Sequence, residues 1–138
     1  MEDLSVVVLA GDRLIEQNRQ TAGPNIFTLV AGIPAVERVI NTLSSSRRIS
    51  NILVVGPEKA EKDGSRIMER ILAQRKVAYV EPSSGPSQSA AKGFMMSDNP
   101  VLLTTADLPL LNVKIIETFV QDSFENDADF IVGLVSHR

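Results

Sequence analysis

Asp107 ends an apolar run, Val101-Leu102-Leu103-Thr104-Thr105-Ala106-Asp107, and Leu108-Pro109-Leu110 follows it directly. The run reads as a buried strand, so the acid would stand at the carboxyl edge of a sheet, where open α/β folds hold ligands. A carboxylate there suits a magnesium ion that bridges phosphates, because magnesium prefers oxygen donors and keeps several of its ligand positions for water and substrate. Two other loops would meet it. Gly11, after Leu4–Ala10, lets a backbone approach a ligand closely. Gly85-Pro86-Ser87 opens a helical stretch whose amino terminus favours an anion. Each residue also has a simpler role: Asp107 could cap the next turn through its side chain, Gly11 could merely end a strand, and Ser87 and Ser89 could cap a helix.

The elements needed to position these residues are legible as alternating periodicities. Leu4–Ala10 is a nearly continuous β-branched run, as in a strand covered on both faces. Residues 12–33 read as a long, polar, irregular loop broken by Gly23-Pro24 and Gly32, and loops of that length tend to be functional or disordered. Pro34 starts a helix to about Ser46, with Ala35, Val36, Val39, Ile40 and Leu43 inward. Ile52–Val55 is the next strand, closed by Gly56-Pro57. A helix is predicted over Lys59–Gln74 on Ile67, Met68, Ile71 and Leu72, and a strand over Val77–Val80. Ser87–Ser97 reads as a helix, with Met95-Met96 as core filler. After the strand at 101–106, a helix capped by Asn112 turns Ile115, Ile116, Phe119 and Val120 inward, and Phe130–Val135 is a last strand. Strands alternating with helices predict an α/β fold: Rossmann-like, three-layer α/β/α, with a mainly parallel sheet.

Composition narrows the function. At 138 residues with 43% apolar and 22% charged content, the chain fits one ordinary globular domain. A net charge of −3 and 4% aromatics disfavour nucleic acid as a partner, since neither phosphate electrostatics nor base stacking has much to work with. The absence of cysteine removes disulfides, thiolate nucleophiles and cysteine-type zinc sites. It fits a reducing compartment, and with no signal-like start and no run of transmembrane length the expected location is cytoplasmic, with no membrane partner. His137 has no second histidine to work with, so a metal or triad role is disfavoured. Ser44-Ser45-Ser46-Arg47-Arg48 reads as a solvated helix end.

Four pieces, in order and with spacing that covers nearly the whole chain, carry a family resemblance. They are Val7-Val8-Leu9-Ala10-Gly11, Val30-Ala31-Gly32-Ile33-Pro34, Gly85-Pro86-Ser87-Gln88-Ser89, and Leu103-Thr104-Thr105-Ala106-Asp107-Leu108-Pro109-Leu110. Together they resemble the amino-terminal part of nucleotidyltransferases of the molybdenum cofactor guanylyltransferase-like type, the MobA-like NTP transferases. The resemblance implies the nucleotide-diphospho-sugar transferase-like version of the Rossmann-like fold. It also implies a Mg2+-dependent transfer of a nucleoside monophosphate from a nucleoside triphosphate to a phosphorylated small-molecule acceptor, with release of pyrophosphate. Under it Leu9, Ala10 and Gly11 would contact the nucleotide through their backbone, and Arg13 would stand near the triphosphate as a catalytic cation. Gly85, Ser87, Gln88 and Ser89 would lie beside the base, and Asp107 would be the catalytic metal ligand.

The chain departs from the family pattern in three ways. Asp12 follows Leu-Ala-Gly directly where further glycines are usual, and no lysine occurs between residues 1 and 58. Family catalytic domains also run on past the last motif, so residues 1–138 are expected to be a single nucleotidyltransferase-like domain truncated at its carboxyl end. The departures keep a second reading open: a non-catalytic domain of this fold that binds a nucleotide or another subunit. A receiver-like domain is disfavoured because its first strand would end in clustered acids, not Ala10-Gly11. A homodimer is compatible with a small α/β domain.

Overall fold

A computed structural model describes residues 3–11, 25–98 and 100–133. In chain order the elements are β1 (Leu4–Leu9), a 3-10 turn (Asn25–Phe27), β2 (Leu29–Val30), β3 (Ile33–Pro34), α1 (Ala35–Ser44), β4 (Ile49–Val55), α2 (Lys59–Asp63), α3 (Arg66–Leu72), β5 (Val77–Val80), α4 (Pro86–Met95), β6 (Val101–Thr105) and α5 (Val113–Phe124). Four strands form one parallel sheet in the order β5-β4-β1-β6. Val7 pairs with Leu53 on one side and Leu103 on the other, so β1 is held by ladders on both edges.

Strand alternation sorts the core into two faces. Val6, Val8, Ile52 and Val54 point to one face, where they meet Val36, Val39, Ile40 and Leu43 of α1, Met68 and Ile71 of α3, and Ile116 and Val120 of α5. Val7 and Val55 point to the other face, toward α4, where Gly93 packs directly on them. Burying this aliphatic set in a parallel sheet covered on both faces supplies most of the driving force for folding. The α/β, three-layer expectation therefore matches the structure.

Several local expectations need correction. The predicted helix over 59–74 is two, because Ser65 opens α3 by accepting the Met68 amide at 3.2 Å. Part of the supposed irregular loop is a hairpin: Ala31 (φ 50) and Gly32 (φ 84) turn β2 into β3. Arg38 of α1 clamps that turn, donating from Nε to the Val30 carbonyl at 2.6 Å and from Nη2 to the Ala31 carbonyl at 3.2 Å. Residues 12–24 lie outside the described set. Met95 and Met96 are exposed rather than core filler, because α4 buries Ser89 and Gly93 instead. Ile115 is also exposed. Ser46 is buried, and Arg48 reaches α5, donating to Gln121 and lying over the Phe124 ring, so the 44–48 segment is not simply a solvated end. Residues 130–133 form no strand, and Leu134 onward, including His137, lies outside the described residues. Among the described residues no helix is long and apolar enough to cross a membrane.

Candidate functional site

All four sheet strands run the same way, so the loops after β1, β4, β5 and β6 share one edge. Backbone hydrogen bonds continue the ladders past the strand ends. Ala10 donates to the Val55 carbonyl at 2.8 Å, Gly56 to Val80 at 2.9 Å, and Ala106 to Leu9 at 3.0 Å. The last of these sets Ala106-Asp107 beside Leu9-Ala10-Gly11. Gly11 in turn borders the third loop, since a Cβ placed on it would lie 3.5 Å from Pro82 Cβ. The three loops singled out in the sequence thus converge at one edge.

Asp107 is exposed in the turn after β6. Its carboxylate makes no hydrogen bond or ion pair with another described residue. The turn behind it closes through backbone alone, Leu111 N–H donating to the Leu108 carbonyl at 3.1 Å. A side-chain capping role for Asp107 is therefore not what the structure shows. Among the described residues no group of three or more acidic, histidine or cysteine side chains could hold a metal by itself. One open carboxylate still fits magnesium, which takes one or two carboxylates and completes its shell with water and phosphate oxygens. Arg13 lies outside the described residues.

The loop after β5 is built by the first turn of α4. Gly85, not Ser87, is the helix N-cap, with Pro86 at the first helical position and no side-chain cap bond. The extended backbone of Gly85 has open space around it: a Cβ there would meet nothing within 4 Å. Ser87 and Gln88 are exposed, and the Gln88 amide oxygen accepts from the Ser84 hydroxyl. Ser89 is buried, and its hydroxyl oxygen accepts the Ser83 amide at 2.9 Å. Lys92 adds a second tie, Nζ donating to the Glu81 carbonyl at 2.9 Å. Ser89 and Lys92 thus hold the loop from within, while Ser87 and Gln88 face outward beside the amides of the helix start, which favour an anion.

By sequence alone Gly56-Pro57 reads only as a strand terminator. In the structure Gly56 (φ 91) packs under the Ala10–Gly11 backbone. Tyr79 donates its hydroxyl to the Pro57 carbonyl, and burial, with Glu81 and other nearby acids, pushes that phenol up to about 12. The signal available beforehand was a glycine directly after a buried strand at the same edge as Gly11.

Comparison with known proteins adds the family. The MobA-like NTP transferase domain matches residues 6–137. The chain belongs to the MobA-like NTP transferase family. Among curated relatives of this MobA-like domain is the bifunctional protein GlmU of Coxiella burnetii, 26% identical over 134 residues, an alignment covering 94% of this chain and 28% of that protein. Among solved structures, the 4-diphosphocytidyl-2C-methyl-D-erythritol synthase of Anaerococcus prevotii superposes with a TM-score of 0.71 at 18% identity, over 98% of this chain and 60% of that one. The bifunctional IspDF of Campylobacter jejuni gives a TM-score of 0.65 at 16% identity, over 90% and 31% of the two chains. The MobA-like chain described here therefore spans between about a quarter and three-fifths of the length of these proteins.

Proposed function

We propose that residues 1–138 form one nucleotidyltransferase-like domain that binds a nucleoside triphosphate across the carboxyl edge of the sheet and transfers its nucleotidyl group to a phosphorylated small molecule. The observation that carries this is the Leu9–Ala106 hydrogen bond of 3.0 Å, which sets the backbone of the exposed Asp107 next to the first loop in a member of this family. A phosphate oxygen of the acceptor attacks the α-phosphorus, the bond from that phosphorus to the bridging oxygen breaks, and pyrophosphate leaves with the electron pair. Leu9, Ala10 and Gly11 offer backbone to the nucleotide, and Gly85, Ser87 and Gln88 lie beside the base, with Ser89 holding their loop. Arg13 supplies positive charge to the triphosphate. Asp107 would hold Mg2+, which when bound neutralises phosphate charge at the reacting centre. Catalysis of this kind rests on positioning and electrostatics, with no covalent intermediate on the protein. The cysteine-free sequence suits a reducing, cytoplasmic setting, and the assembly compatible with a small α/β domain is a homodimer.

The test is titration calorimetry of each nucleoside triphosphate with magnesium against wild type and Asp107→Asn. Binding by wild type that weakens in the variant is expected; equal binding by both, or none by either, would overturn the role of Asp107. A second reading, a non-catalytic binding domain of the same fold, draws on the absence of any lysine before Lys59. Exchange of pyrophosphate into a nucleoside triphosphate by the wild-type protein would exclude it.

A further inference from the structure

Gly56 touches the first loop backbone to backbone. A Cβ built on it would lie 2.7 Å from Gly11 N, 2.9 Å from Gly11 Cα and 3.0 Å from the Ala10 carbonyl carbon. These atoms cannot rotate aside as a flexible side chain would. Gly56 is itself fixed: its amide donates to Val80 at 2.9 Å, and the carbonyl of the residue before it receives the Ala10 amide at 2.8 Å. From the far side, the Tyr79 hydroxyl supports the Pro57 carbonyl.

We propose that Gly56 is a positioning residue for the nucleotide, setting the height of the Leu9-Ala10-Gly11 backbone above the sheet edge; this rests on the nucleotide-binding reading above. β1 is laddered on both sides through Leu9 and cannot slide. A side chain at 56 must therefore displace Ala10 and Gly11, the segment that would lie against the phosphates and base. Gly32 provides the internal comparison. It shares the left-handed backbone (φ +84), yet an added Cβ there meets nothing within 4 Å. Gly32→Ala thus carries the conformational penalty without the contact.

The experiment titrates magnesium and nucleoside triphosphate into wild type, Gly56→Ala and Gly32→Ala, and records the backbone amide resonances of Ala10 and Gly11 in the free proteins. Both variants are expected to melt earlier. Gly56→Ala alone is expected to shift the Ala10 and Gly11 resonances and to weaken binding by the folded protein roughly tenfold or more, as misplacement of a positioning element does. If Gly56→Ala does not fold, Tyr79→Phe tests the same support from beneath, with an expected loss of about two- to fivefold for one hydrogen bond. Unchanged affinity in these variants, or an equal loss in Gly32→Ala, overturns the positioning role and leaves the nucleotide reading intact. Absence of binding by wild type overturns both.

Discussion

Ala106 donates its amide to the carbonyl of Leu9 at 3.0 Å, one step beyond the last ladder pair, Leu9 with Thr105. That bond makes the separation between the first loop and Asp107 a property of the sheet itself. The two lie far apart in sequence, and the parallel pairing of β1 with β6 brings them together.

Asp107→Asn is expected to leave stability within about 0.5 kcal/mol of wild type, because the carboxylate is exposed and unpaired among the described residues. Thermal melts check that arm. Nucleotide titrations with and without magnesium check the other, in which the magnesium-dependent part of the affinity disappears.

Ser89→Ala removes a buried acceptor and leaves the Ser83 amide without its partner, so a loss of about 1 kcal/mol is expected in urea denaturation. Ser87→Ala and Gln88→Ala are expected to change stability by less than about 0.5 kcal/mol, since both side chains are exposed. Gln88→Ala should instead alter the relative affinities for the different nucleoside triphosphates, read by calorimetry.

Gly93→Ala would place a carbon 2.5 Å from Val7 Cγ1 and 3.1 Å from Val55 Cγ2. Overpacking between α4 and the sheet is expected to cost about 1–3 kcal/mol. The urea midpoint reports it, and an unchanged midpoint would mean that α4 can lift away from β1.

Tyr79 is the sole tyrosine and the chain has no tryptophan, so its ionisation can be followed alone by phenolate absorbance. Burial raises its pKa from 10.0 to about 12. The folded state holds this proton more tightly than the unfolded state does. Its contribution to stability is therefore complete below pH 10 and is lost as the pH rises toward 12. An absorbance titration with its midpoint near the ordinary tyrosine value would remove this account.

Much of the fold was legible because helix and strand periods differ. Val36, Val39, Ile40 and Leu43 mark the buried stripe of α1 in sequence as in structure. The side of α4 that meets the sheet was not legible, since Met95-Met96 and Gly93 share one helix and only the tertiary contact shows that the small residue faces Val7. Phe130–Gly133 has the composition of a strand, but strand propensity depends on a neighbour to pair with, which no sequence window contains. At the site, the break at Pro109 pointed to Asp107 as a strand-end acid. The inward turn of Ser89 and the contact of Gly56 with Gly11 depend on side-chain and backbone directions that residue spacing does not encode.

Because the strands are parallel, the turns entering β4, β5 and β6 lie at the edge opposite the candidate site. Arg75, exposed in the turn before β5, is one such place. With no native cysteine in the sequence, an Arg75→Cys substitution would give the molecule a single thiol on its far side. Through it the domain could be tethered to a sensor surface or given a fluorophore, with the Asp107 edge left facing solution.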